Sequence, residues 1–280
     1  VLTKFVFYFA LSAMLFRCSA TLSFGELFDP RFIAVDLWAT AFVYLIANAV
    51  ALWRGISVAE GAVEAQCAVI GNIGFLGIPM LALLMGEAAV GYIMMMLAVD
   101  LFVFGSLIVI LITGSRDHQL SLRVFATVGK GLATNPMLVS IFLGFSVSAL
   151  EIGVPGPINE FLATLGNAAT PGALFAIGAS LASKSAERMS VAAWLSFAKL
   201  VLHPAAIALA ALVIWPLEPY AASVMISSAA LPSAGKIFMI STHYGVAPQR
   251  VSATILISTA ASIVTVSLVL AWLAERVAFQ

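Results

Sequence analysis

The chain has 280 residues, of which 62% are hydrophobic and 9% charged, with thirteen basic and thirteen acidic side chains. A soluble domain carries roughly 25% charged residues. A soluble fold with so much apolar side chain would leave a greasy surface in water, whereas a bilayer would itself solvate that outer face. The charge balance argues against a basic stripe for nucleic acid, and Cys18 and Cys67 have neither metal-binding nor redox spacing.

Crossing the hydrocarbon core takes about 20 mainly apolar residues. Nine stretches qualify, approximately 1–20, 34–53, 62–85, 90–112, 131–151, 159–182, 191–215, 220–244 and 250–274. The stretches 99–112 and 253–274 are apolar on every face, unlike the alternating strands of a barrel, so helices are the conformation that satisfies the backbone in lipid. The expected class is an all-α polytopic membrane protein. The chain opens on Val1, is apolar almost at once, and shows no signal peptide.

Short-loop Lys and Arg residues set orientation. One side collects Lys4, Arg54, Arg116, Arg123, Lys130, Lys184, Arg188 and Arg250, and the other Arg17, Arg31 and Arg276. The first side is therefore expected to be cytoplasmic in a plasma (inner) membrane, with the C-terminus outside. Lys199 and Lys236 fall within apolar stretches.

The polar connection 113–130 divides the chain into a first repeat, 1–112, and a second, 131–280. Inverted repeats need an odd number of helices each, so four plus five implies that a helix once preceded Val1. Residues 10–16 share three of seven identities with 169–175, which fits that register. The same register pairs 62–85 with 220–244.

Those two stretches are interrupted. Gly71-Asn72-Ile73-Gly74-Phe75-Leu76-Gly77-Ile78-Pro79 and Leu231-Pro232-Ser233-Ala234-Gly235-Lys236 are poor material for continuous helix. Paired interruptions point to a midplane transporter site, where facing half-helix N-termini would attract an anion. They could instead permit close packing or kinks. The candidate substrate-binding set is Asn72, Gly74, Pro79, Pro232, Ser233, Gly235 and Lys236.

A charge at the bilayer centre costs about 2.5–3.5 kcal/mol, so Lys236 needs a carboxylate, water or an anionic substrate, unless it snorkels. Asp100 could carry a coupling proton or pair with Lys236 or Lys199. Lys199 and His203 share a helix face as a relay or as packed polar residues. Asn48, Gln66 and Asn167 are expected to join helices by hydrogen bonds, and Met94-Met95-Met96 to face lipid or fill the core. His118 and His243 fall near the cytoplasmic surface. No metalloprotease, phosphate-loop or dinucleotide motif is present, so no enzyme activity or resident cofactor is expected. Coupling to protons or sodium stays open.

Residues 71–79 resemble the fourth helix of the auxin efflux carrier family, which includes bacterial malonate and malate permeases. Asn135-Pro136, the run Pro171–Leu181, the Lys199…His203-Pro204 helix and Leu231-Pro232 leading to Tyr244-Gly245 are similar to that family in order and spacing. The resemblance implies a ten-helix fold of two inverted five-helix repeats, with the fourth and ninth helices crossing beside the substrate. It implies both termini outside, small carboxylates as cargo, and an elevator-like movement of a crossing domain against a scaffold. Asn72 and Pro79 match the first crossing motif and Pro232 the second, while Asp36 matches an acidic residue before the third helix in plant carriers. The chain departs in lacking the first helix, in Ser12 where many members have proline, and in Ile237 where plant carriers have a second proline, which argues against auxin. The expected function is a permease for malonate or another small carboxylate, with the lipid bilayer and this anion as partners and a homodimer left open. The alternatives are a sodium-coupled anion symporter of the bile-acid type and a membrane sensor that does not transport.

Overall fold

A computed structural model describes residues 2–21, 29–117, 126, 129–130, 133–134, 136–169, 172, 175 and 189–275. Its named elements are helical. The first span runs as α1 (Leu2–Phe5), a π-helical turn (Val6–Ala10) and α2 (Leu11–Thr21). Asp29 then accepts a hydrogen bond from Arg31 N–H at 2.8 Å and Pro30 occupies the first turn, so α3 (Pro30–Trp53) starts four residues before the expected stretch. Asp36, already within the expected stretch 34–53, lies in the second turn of this helix and is buried, rather than ahead of the helix like the plant-carrier residue it matches.

The first broken helix is α4 (Val58–Val69), an extended link, a π-helical segment (Ile73–Gly77) and α5 (Ile78–Met85). A reciprocal box starts it: Ser57 Oγ accepts from Glu60 N–H, and Glu60 from Ser57 N–H. The next span is α6 (Ala88–Val99), a π-segment (Asp100–Phe104) and α7 (Gly105–Asp117). Helix therefore continues past Thr113, and the expected linker 113–130 begins later than its polarity suggested. Then come α8 (Pro136–Ala149) and α9 (Gly156–Asn167). His118, Asn135 and 170–188 apart from Gly172 and Phe175, and with them most of the compared run 169–175, lie outside the described residues.

The span α10 (Met189–Phe197), π-segment (Ala198–Leu202), α11 (His203–Leu209), π-segment (Ala210–Ile214) leads to the second broken helix. That helix is α12 (Pro219–Ala229) and α13 (Gly235–Tyr244), and α14 (Pro248–Ala274) closes the described chain. Among the described residues, Pro30–Trp53, Ala88–Ser115, Met189–Ile214 and Pro248–Ala274 are each long and apolar enough to cross a membrane. The protein is thus an all-α polytopic membrane protein.

Packing sorts the helices into two groups. The first is α1–α2 with α8 and α9; the second is α3–α7 with α10–α14, and α2 packs against α6 between them. The seam holds an apolar cavity of about 300 Å³ between α6 and its π-segment (Met95, Val99, Phe102) and α8 (Leu138, Phe142). Met94, Met95 and Met96 are buried and fill the core.

Within the first group, α2 and α8 meet almost backbone to backbone. A Cβ built on Gly144 would lie 2.5 Å from Ser19 Cβ and 2.6 Å from the Phe16 carbonyl oxygen, which cannot rotate away. Gly144→Ala is expected to cost about 1–3 kcal/mol of overpacking and to lower the melting temperature in detergent by several degrees. An unchanged melting curve would show that these helices do not pack this closely.

Candidate functional site

The two breaks meet. Gly71 and Ser233 form an antiparallel bridge, flanked by Asn72 N–H donating to the Pro232 carbonyl at 2.8 Å and Ala234 N–H donating to the Ile70 carbonyl at 3.0 Å. Each unwound segment thereby satisfies main-chain groups of the other that lipid cannot. Gly77 carries Leu231 against its backbone: a Cβ there would sit 2.7 Å from Leu231 Cδ1. At their outer ends the same helices are tied by Tyr220 Oη donating to the Met85 carbonyl at 2.7 Å.

The first break is shorter than 71–79. Helix resumes at Ile73 as a π-segment, so Gly74 is helical and buried, and Pro79 sits in the first turn of α5, half-buried. The π-segment runs into α5 without a gap, so the proline removes one main-chain hydrogen bond from the continuous helical stretch Ile73–Met85. Pro79 is thus roughly 10 Å of helical rise beyond Asn72, away from the bridge. Pro232 and Ser233 lie within the second break, and Gly235 and Lys236 open α13.

The half-helix N-termini do not face each other head-on. The pairing is antiparallel, so Ile73 and Gly235 lie on opposite sides of the bridge, each beside the C-terminal end of the other broken helix. The N-terminus of α13 is the open one: Gly235 is exposed, and nothing lies within 4 Å of a Cβ built on it. The first N–H groups of a helix lack intrahelical acceptors. Lys236, half-buried beside them, has no hydrogen-bond or ion-pair partner among the described residues, with Asp100 in electrostatic range. The buried Asn72 amide likewise has no side-chain hydrogen bond among the described residues.

The two freed helix C-termini are closed by side chains. Ser233 Oγ donates to the Cys67 carbonyl of α4 at 2.8 Å, and Lys199 Nζ donates to the Ala229 carbonyl of α12. Lys199, 0% exposed, also meets His203 Nδ1 at 3.2 Å. Two hydrogen bonds to a charged group contribute about 1.5–3 kcal/mol each, enough to offset the cost of an ammonium at mid-bilayer, about 2.5–3.5 kcal/mol. Beyond His203, Nε2 meets Thr40 Oγ1 at 3.1 Å, and Thr40 Oγ1 donates to Asp36 Oδ1 at 3.3 Å. Asp100 and Lys199 each lie in a π-segment. Asp36 and Asp100 each keep one buried oxygen without a hydrogen-bond partner, and neither forms a direct ion pair with a lysine among the described residues. The Asn48 and Gln66 side-chain oxygens are also unpartnered, so those atoms do not join helices as expected.

Sequence reasoning missed a second cluster. Glu64, buried on α4, accepts from Arg54 at 2.6 and 2.8 Å and from Arg250 at 2.6 Å, and Arg250 also pairs with Glu60. The signal was available, since Glu64 is a lone carboxylate within an otherwise uncharged stretch. The cluster anchors the first crossing helix to α3 and α14.

A family model described as "Membrane transport protein" matches residues 1–270. This chain belongs to that family, of the auxin efflux carrier type. As a membrane transport protein it is similar, at 31% identity over 269 residues, to a Rhizobium meliloti (strain 1021) protein named "Putative malonate transporter"; the match covers 95% of this chain and 84% of that one.

Glu64→Gln removes the charge shared by two guanidinium groups and is expected to destabilise the membrane transport protein by about 3 kcal/mol. Glu60→Gln, at a more exposed position, should cost less than about 1 kcal/mol. Denaturant unfolding in detergent measures both, and equal effects would refute the central place given to Glu64.

Proposed function

We propose that this protein is a secondary transporter of a small organic anion, malonate or a similar carboxylate, working by alternating access around the crossing of the two broken helices. The observation that carries the reading is the antiparallel Gly71–Ser233 bridge, which leaves the α13 N-terminus open beside the unpaired Lys236 ammonium. A carboxylate there would accept hydrogen bonds from main-chain N–H groups, gain from the helix dipole and neutralise Lys236. The unpartnered Asn72 amide would orient it. Pro232, Ser233 and Gly74 build the crossing rather than touch the anion, and Pro79 supports α5.

The name of the Rhizobium relative supports malonate as the first substrate to try. The division of the helices into two groups with an apolar seam supports movement of the crossing group against α1–α2, α8 and α9. The repeats would be 1–112 and 131–280. The face bearing Arg54 and Arg250 would be cytoplasmic in the plasma membrane, with the C-terminus outside.

Uptake of labelled malonate by proteoliposomes tests the site. Lys236→Met should lower uptake about ten- to hundredfold, the loss of one charge-assisted contact, with an unchanged gel-filtration profile. Gly235→Val places a side chain in open space, so it should block uptake at unchanged melting temperature. Undiminished uptake in both variants would remove the anion site from the crossing.

A further inference from the structure

The face of α6 and its π-segment that lines the seam cavity repeats every four residues: Met94 and Met95, Ala98 and Val99, Phe102 and Val103. An α-helix turns once in about 3.6 residues, so a period of four drifts around it. The wider turn of the π-segment Asp100–Phe104 offsets that drift. On α8, Leu138, Ile141, Phe142 and Phe145 line the opposite wall at helical spacing. Ala98, midway along the stripe, is the smallest lining side chain, and about 300 Å³ between the walls is left unfilled.

The hollow opens sideways. Met94, Met95, Val99, Leu138 and Ile141 on its floor are at most 8% exposed, while Phe102, Val103 and Phe142 on its rim are 41–72% exposed. The rim is continuous with the outer face that a membrane-crossing helix turns to hydrocarbon. Among the described residues every lining side chain is apolar, so water finds no hydrogen bond inside and a charged or polar ligand finds no partner. Left empty, a hollow of this size would forfeit dispersion contacts along both walls.

Its dimensions name the occupant. Ala88–Ser115 has 28 residues, about 42 Å of rise across a hydrocarbon core about 30 Å thick. Met94 therefore lies near one edge of the core and Val103 near its middle. They are roughly 14 Å apart along the axis, about the depth of one leaflet. Volume over length gives a cross-section of roughly 21 Å², that of one extended hydrocarbon chain. The rings of Phe32 and Tyr92 meet at 5.2 Å, which puts the starts of α3 and α6 at the same edge, and Ile33 of α3 lines the hollow there. We propose that the hollow is a binding site for one acyl chain of a phospholipid, drawn from the leaflet in which α3 and α6 begin and seated between the two helix groups. The inference does not depend on the transport reading.

Lipid photolabelling of the purified full chain tests it. The protein is reconstituted in phosphatidylcholine vesicles, a fraction of whose lipid carries a diazirine near the middle of one acyl chain, then irradiated and digested for mass spectrometry. Adducts should form on Met95 and Ile141, which lipid skirting an even surface cannot reach. Phe102 and Phe142 should be labelled at least about threefold more than Ile263 and Leu268 of α14, which are 75% and 64% exposed. Ala98→Phe fills the hollow and should remove the floor adducts while labelling of α14 persists. Labelling that simply follows exposure overturns the inference, and so does a floor without adducts because another part of the chain covers it. Undiminished floor labelling in Ala98→Phe overturns it as well. If Ala98→Phe cannot be purified folded, the Met95 and Ile141 adducts of the unaltered protein decide. No substrate enters either arm, so failure here leaves the transport reading standing.

Discussion

A helix that stops inside a bilayer leaves main-chain N–H and C=O groups with no water to turn to, each costing several kcal/mol if unmet. This protein stops two helices in the same layer, and the crossing is the arrangement in which each stop supplies partners for the other. Asn72 and Ala234 donate across the bridge, Ser233 reaches back to Cys67, and Lys199 reaches over to Ala229. The π-segment before α11 and helix α14 answer the same demand, because they bring Lys199 and Ser258 to the second break.

The electrostatics divide by depth. At one end of α4 the guanidinium groups of Arg54 and Arg250 converge on Glu64, a closed cluster in which opposite charges touch. At the crossing, by contrast, carboxylates and ammonium groups stand within range without pairing directly, and neutral groups such as Thr40 and His203 separate them. The first arrangement holds an element in place. The second leaves charges that a diffusing ion could complete, which is why we propose the anion site at the crossing rather than at the tighter cluster.

Part of the architecture was legible in the residues. Four of the nine expected apolar stretches match the long membrane-crossing helices among the described residues, and Gly71-Asn72 and Pro232-Ser233 located both breaks. Their extent was less legible. Gly74, Gly77 and Pro79 look like helix breakers in isolation, but helix runs through all three as a π-segment and α5. The four-residue spacing of Asp36 with Thr40 and of Lys199 with His203 could be read as two intrahelical pairs. Their union through Thr40 and His203 could not, because the contact spans 163 residues of sequence. Arg250 meets Glu64 across 186 residues, and no local pattern encodes such a meeting.

The cavity between α6 and α8 has a consequence of its own. Lipid tails are as apolar as the side chains that line it, so parting those surfaces in a bilayer exchanges one hydrocarbon contact for another. A joint of that kind has little intrinsic stickiness. On the transport reading proposed above, such a joint would let the two helix groups slip past one another under small forces.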